Sequence, residues 1–85
     1  MSNDVIATLS NSLADEYNDV LKYKKIAKEA GDSDGIAQIL SDIAREEYTH
    51  ASHIEEILKD CGKSNIDSSE VKELKEKAQK ALTNE

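Results

Sequence analysis

Apolar residues recur in the first part of the chain at Val5, Leu9, Leu13, Val20, Tyr23, Ala27 and Ala30. Spacings of three, four or seven place them on one helical face, and the pattern predicts a first helix from about Asn3 to Ala30. It breaks at "GDSDG", where Gly31 can take the left-handed backbone that closes a helix and Asp32, Ser33 or Asp34 can cap the next. So short a connection makes the two helices antiparallel neighbours. A second stripe, Ile36, Leu40, Ile43, Ile54, Ile57 and Leu58, predicts a helix from about Ser33 to Cys61 with Gly62 as its terminator. After the polar stretch "KSNID", Asp67 and Glu70 have capping-box spacing. Val71, Leu74, Ala78 and Leu82 then give a thin stripe on a third, shorter helix.

The predicted fold class is all-α: an antiparallel two-helix hairpin over residues 1–62, then a loop and a short amphipathic helix over residues 63–85. Composition agrees, with no Pro, Trp or Phe and only three Gly to interrupt helices. A chain of 85 residues buries a modest fraction of its surface, so a homo-oligomer is expected. The 18 acidic residues outnumber the 11 basic ones, and the net charge of -7 repels phosphate backbones and anionic membrane surfaces. No nucleic-acid or membrane partner is expected. The single Cys61 excludes an intramolecular disulfide, and the first residues have neither a basic region nor an apolar run suited to export. The expected location is cytoplasmic.

Charge changes the picture most where it interrupts the stripes. With about 100° per residue, Ile36, Leu40, Ile43 and Ile54 fall within about 40° of Glu47, and His50 lies about 60° to one side. On the first helix Val5, Leu9, Val20, Tyr23 and Ala27 fall within about 40° of Glu16, with Asp19 about 60° away. Residues equidistant from the turn of an antiparallel hairpin face each other, so Glu16 and Glu47 become close neighbours. Ionisable groups at the middle of an apolar face lose hydration and need compensation. They either share protons and hydrogen bonds or bind a cation, and two carboxylates with one imidazole suit iron, manganese or zinc. A His-Glu-x-x-His zinc-protease motif is excluded, because Glu46 stands where the first histidine belongs. His53, about 120° from Glu47, reads as a solvated histidine. Glu46 and Asp15 read as flanking acids that draw in cations, and Cys61 as a small buried hydrophobe.

At this point the residues resemble the ferritin-like carboxylate proteins, and among them the rubrerythrins and the short encapsulated ferritins. "EYNDVLKYKKIAKEAG" is similar to the first rubrerythrin helix, with Glu16 at the ligand position and Tyr23 seven residues on. "IAQILSDIAREEYTHASHIEEIL" is similar to the second, with Glu47 and His50 as its Glu-x-x-His pair. The likeness covers about Leu13 to Leu58. It departs from the family in chain length: full bundles carry four helices, whereas this chain carries half of the ligand set and no rubredoxin-like cysteine cluster.

The resemblance implies that two chains pair into a ferritin-like four-helix bundle, as a dimer or a larger ring. Two iron ions per dimer would be held by Glu16, Glu47 and His50 of both chains, with manganese or zinc as alternatives. Glu47 is the implied bridging carboxylate, Glu16 a bridging or terminal one, and His50 a terminal ligand. Tyr23 would hydrogen bond a ligand carboxylate from behind, and Asp19 would act as an auxiliary or entry residue. The implied activity is that of a ferroxidase-type oxidoreductase, with rubrerythrin-like peroxide reduction from an external electron donor as runner-up. A metal-free helical oligomerisation module is the rival from another class. The likeness to encapsulated ferritins adds an encapsulating shell protein as a partner and a protein nanocompartment as a location.

Overall fold

Gly31 and Gly35 both have positive φ, 63° and 74°, and they bracket the turn on which the chain reverses. The computed structural model describes residues 3–31, 35–61 and 69–83. Its elements are α1 (Asn3–Ala30), α2 (Ile36–Asp60) and α3 (Ser69–Thr83), with no strand among the described residues. α1 ends where the pattern places it. α2 starts at Ile36, the first residue of its apolar stripe and three positions after the expected Ser33, because the left-handed backbone at Gly35 cannot continue a right-handed helix. The expected caps at residues 32–34, Gly62 and Asp67 lie outside the described residues. Cys61 is the C-cap of α2, as expected for the helix end, and its N–H bonds back to the Ile57 carbonyl at 3.1 Å.

α1 and α2 pack along their length as a hairpin, and α3 lies mainly against α1. The result is a rod with extents of 46 × 19 × 16 Å. Its centre is Leu13, Tyr17 and Val20 from α1, Ala44, Ala51 and Leu58 from α2, and Ala78 from α3, all fully buried. Val71, Leu74 and Leu82 pack against this cluster, which is the stripe the sequence gives to α3. The alanines at 44 and 51 occupy the same face two turns apart, and with no side chain beyond Cβ they let α1 approach α2 closely.

The core is turned away from the line through Glu16 and Glu47. On α1 it centres on Leu13, Tyr17 and Val20, which lie about 40° to 100° from Glu16 on one side. The cause is α3, which covers that flank. Polar contacts fix it there: the Tyr17 hydroxyl donates to Glu55 Oε2 at 3.1 Å, and Lys75 Nζ donates to both Glu55 oxygens at 2.9 Å. One residue from each helix thus joins a single, largely sheltered polar contact. Burial first, then the neighbouring Glu55 carboxylate, push the Tyr17 phenol well above its ordinary pKa, so it stays a donor.

Among the described residues the opposite flank has no such cover. Val5, Ile26, Ile36, Ile39 and Ile57 are all more than 40% exposed. No helix among the described residues is long and apolar enough to cross a membrane.

The packing leads to a stability prediction. Tyr17→Phe keeps the ring and removes only the hydroxyl, so it should cost about 1 kcal/mol in urea unfolding. Leu13→Ala opens a cavity in the fully buried centre and should cost roughly 2–5 kcal/mol. A Tyr17→Phe loss equal to that of Leu13→Ala would show that the hydroxyl carries far more than one ordinary hydrogen bond.

Candidate metal centre

Glu16 and Glu47 are each followed by a tyrosine, and this Glu-Tyr pair decides where the carboxylates go. Neighbouring positions on a helix differ by about 100°, so burying Tyr17 and turning Tyr48 toward it leaves both glutamates at the rim of the core. The rings meet at 5.7 Å between centroids with a 55° tilt, within the range that favours aromatic pairs. Tyr17 was not among the residues picked out by periodicity, although the recurrence of Glu-Tyr in both helices was a readable signal. Glu55 and Lys75 were missed as well, and no spacing rule joins residues on separate helices.

The three expected ligand residues converge. Glu16, Glu47 and His50 each offer one ligand atom, and these atoms lie within 4.8 Å of one another. His50 Nδ1 stands 3.7 Å from Glu16 Oε2 and 3.7 Å from Glu47 Oε1, too far for hydrogen bonds. Burial is less complete than the apolar stripes imply. The side chains of Glu16 and Glu47 are 24% and 20% exposed, and that of His50 is 56% exposed, because the flank that carries them is the one α3 leaves open.

The electrostatics are those of crowded acids. A hydrogen bond shared with Glu16 is the largest cause that raises Glu47, followed by burial and by the charges of Glu16 and Asp19; His50 opposes them, and Glu47 is pushed up to about 7. One proton held between two carboxylates is how such a pair lowers its repulsion. Glu16 Oε2 is nevertheless buried with no hydrogen-bond partner. An acceptor in that state lacks a donor or a cation. A divalent ion fits this donor set: two hard carboxylates and an imidazole converge on one point, and a positive charge replaces the shared proton.

The remaining candidates are less central. Asp19 is half-buried, acts electrostatically on Glu47, and pairs with Lys22 at 3.5 Å. Tyr23 is half-buried at the edge of the core, with Lys22 Nζ 4.8 Å from its ring centroid. Among the described residues its hydroxyl bonds to neither ligand carboxylate. His53, Glu46 and Asp15 are exposed, and Cys61 is half-buried rather than buried.

A pH prediction follows for the metal-free protein. The Glu47 carboxyl rises from 4.5 in the unfolded chain to about 7 in the fold, so the folded state binds its proton more tightly. Its contribution to stability is full below the unfolded pKa and is lost as pH rises through the folded one. In chelator, the melting temperature should fall between pH 5 and pH 8, and Glu47→Gln should flatten that slope. A wild-type profile as flat as that of the variant would rule out the shared proton.

Comparison with known proteins agrees with the geometry. The family model described as Rubrerythrin matches residues 7–85, so the likeness extends beyond the hairpin and takes in α3. No curated protein and no solved structure matches the chain. With a family match over nearly the whole chain and a carboxylate–imidazole cluster on its first two helices, the chain belongs to the rubrerythrin family of the ferritin-like diiron superfamily.

Proposed function

We propose that two copies of this chain pair through their open flanks and form a dinuclear iron site that oxidises Fe(II). The observation that carries the reading is the convergence of Glu16, Glu47 and His50 around a buried, unpartnered Glu16 oxygen. One chain supplies two carboxylates and one imidazole, whereas a ferritin-like bundle uses four carboxylates and two imidazoles. A second copy completes the set. α1 and α2 then act as a half bundle, and α3 covers its outer side.

Two features of the open flank favour a second copy as its cover. Isoleucines and a valine, each more than 40% exposed, run along it from Val5 and Ile57 at one end to Ile26, Ile36 and Ile39 at the other. Exposed apolar groups in that number mark an interaction surface. The second feature is position: Glu16 lies at the middle of α1, and Glu47 and His50 lie near the middle of α2. A twofold axis across the helix midpoints superimposes the half-sites and covers both rods over their full length.

In this reading Glu16, Glu47 and His50 would hold the metal, His50 through the Nδ1 that faces both acids. Iron held there would supply the Fe(II)/Fe(III) couple, with dioxygen or peroxide as the electron acceptor. The protein's own part is to hold hard anionic donors that favour the Fe(III) product, and to gather cations. Asp19 beside the site and the net charge of -7 serve the second task. Tyr23, half-buried at the edge of the core, is left among the described residues without a hydrogen bond to the ligand carboxylates and takes no part in this reading. Peroxide reduction with an external electron donor is the second reading, favoured by the rubrerythrin match.

The test is stopped-flow absorbance of Fe(III) formation, with sedimentation in parallel. The wild-type chain should sediment with at least twice its single-chain mass and oxidise Fe(II). Glu47→Ala should abolish the oxidation and leave the assembly intact, whereas exposed Glu46→Ala should change the rate less than about twofold. Faster turnover with peroxide and a reductant would favour the second reading. A monomer, or a melting temperature indifferent to iron, manganese and zinc, would overturn the proposal.

A further inference from the structure

The lysines are unevenly distributed. Four of the 11 basic residues fall within seven positions of α1, at Lys22, Lys24, Lys25 and Lys28, in a chain of net charge -7. Three of them, Lys24, Lys25 and Lys28, line one groove near the turn end of the hairpin. Leu21, Ala27, Ala37 and Ala81 give it apolar walls from all three helices, and Ser41 adds a hydroxyl. Among the described residues no carboxylate lines it. Lys24 Nζ reaches Ser41 Oγ at 3.4 Å, a long contact between neutral and charged groups. Among the described residues Lys25 and Lys28 make no ion pair, although acids outnumber bases 18 to 11.

Ordinary helix electrostatics account for part of this. A lysine in the last turn, such as Lys28, interacts favourably with the α1 carbonyl end. That effect fades within one turn and leaves Lys24 and Lys25 unexplained. Small side chains explain the concavity: alanines at 27, 37 and 81 leave space where three helices meet.

We propose that this groove binds a small organic anion, with its carboxylate among the three lysines and an aliphatic body against the apolar walls. Opposite charge supplies the recognition, since a concave site of fixed positive sign concentrates anions even on an acidic protein. Size favours a small molecule over a protein segment. The groove spans Leu21 to Lys28, about 10 Å along the helix at 1.5 Å per residue, and its volume of about 690 Å³ lies in the small-ligand range. The site is independent of the metal centre. Lys24 and Lys28 lie about 80° to 120° from Glu16 on the side α3 occupies, whereas His50 and the exposed isoleucines face the other way. The groove therefore stays open when the opposite flank is covered.

The experiment is titration of the isotope-labelled full chain with octanoate, octylammonium and inorganic phosphate, read as amide shifts. Octanoate should shift Leu21, Ala27, Ser41 and Ala81 saturably at millimolar concentration or below, and should bind more tightly than either comparison ligand. Lys25→Gln combined with Lys28→Gln should weaken it about tenfold, because two charge-assisted contacts are lost. Ala81→Leu, checked for an unchanged helical spectrum, should block it by filling the groove. Equal binding of octylammonium would overturn the role of the lysines, and equal binding of phosphate that of the apolar walls. No saturable shift with octanoate, or shifts only with an acidic peptide, would overturn the proposal.

Discussion

The contacts of Glu55 with Tyr17 and Lys75 set the rotation of the helices, and the geometry of the carboxylate–imidazole cluster depends on that rotation. With Tyr17 fixed in the core, Glu16 is turned about 100° toward the open flank, and the tilted Tyr48 ring does the same for Glu47. The acids are half-sheltered as a consequence. They are dry enough to repel each other and share a proton, and open enough for a cation to reach them. A core centred on Glu16 and Glu47 would have buried charge without compensation, which a domain this small could not carry.

α3 divides the molecule into two faces. One is closed by Val71, Leu74, Ala78 and Leu82; the other keeps its isoleucines exposed and holds the carboxylate cluster. This asymmetry explains how a hairpin can be folded and incomplete at once. Its hydrophobic core is satisfied on the α3 side. Its chemistry is left at the surface that a partner would cover.

Local order was legible in the sequence because the stripes on all three helices have simple spacing and the glycines mark the turn. The cluster was legible for a related reason: in a hairpin, distance from the turn fixes which residues meet, so Glu16, Glu47 and His50 could be brought together by counting. Depth was not legible. Periodicity around Glu16 gave a core axis that α3 then displaced, and nothing in the sequence states which flank a third helix will choose. Tyr17 was missed for the same cause, since it lies outside a stripe centred on Glu16 but inside one centred on the α3 contact. Glu55 and Lys75 look like two more solvated charges until the fold puts them 2.9 Å apart.

The two left-handed glycines have a further consequence, in the time domain. Contacts between residues near in sequence cost the least loop-closure entropy and form early. Gly31 and Gly35 accept the backbone conformations of the reversal at little cost, so pairing can start next to the turn and zip outward toward Glu16 and Glu47. The order of events then runs from turn to carboxylates, and the acids meet only after the apolar layers nearer the turn have closed. A cation drawn to these acids would then meet a hairpin whose register the turn had already set.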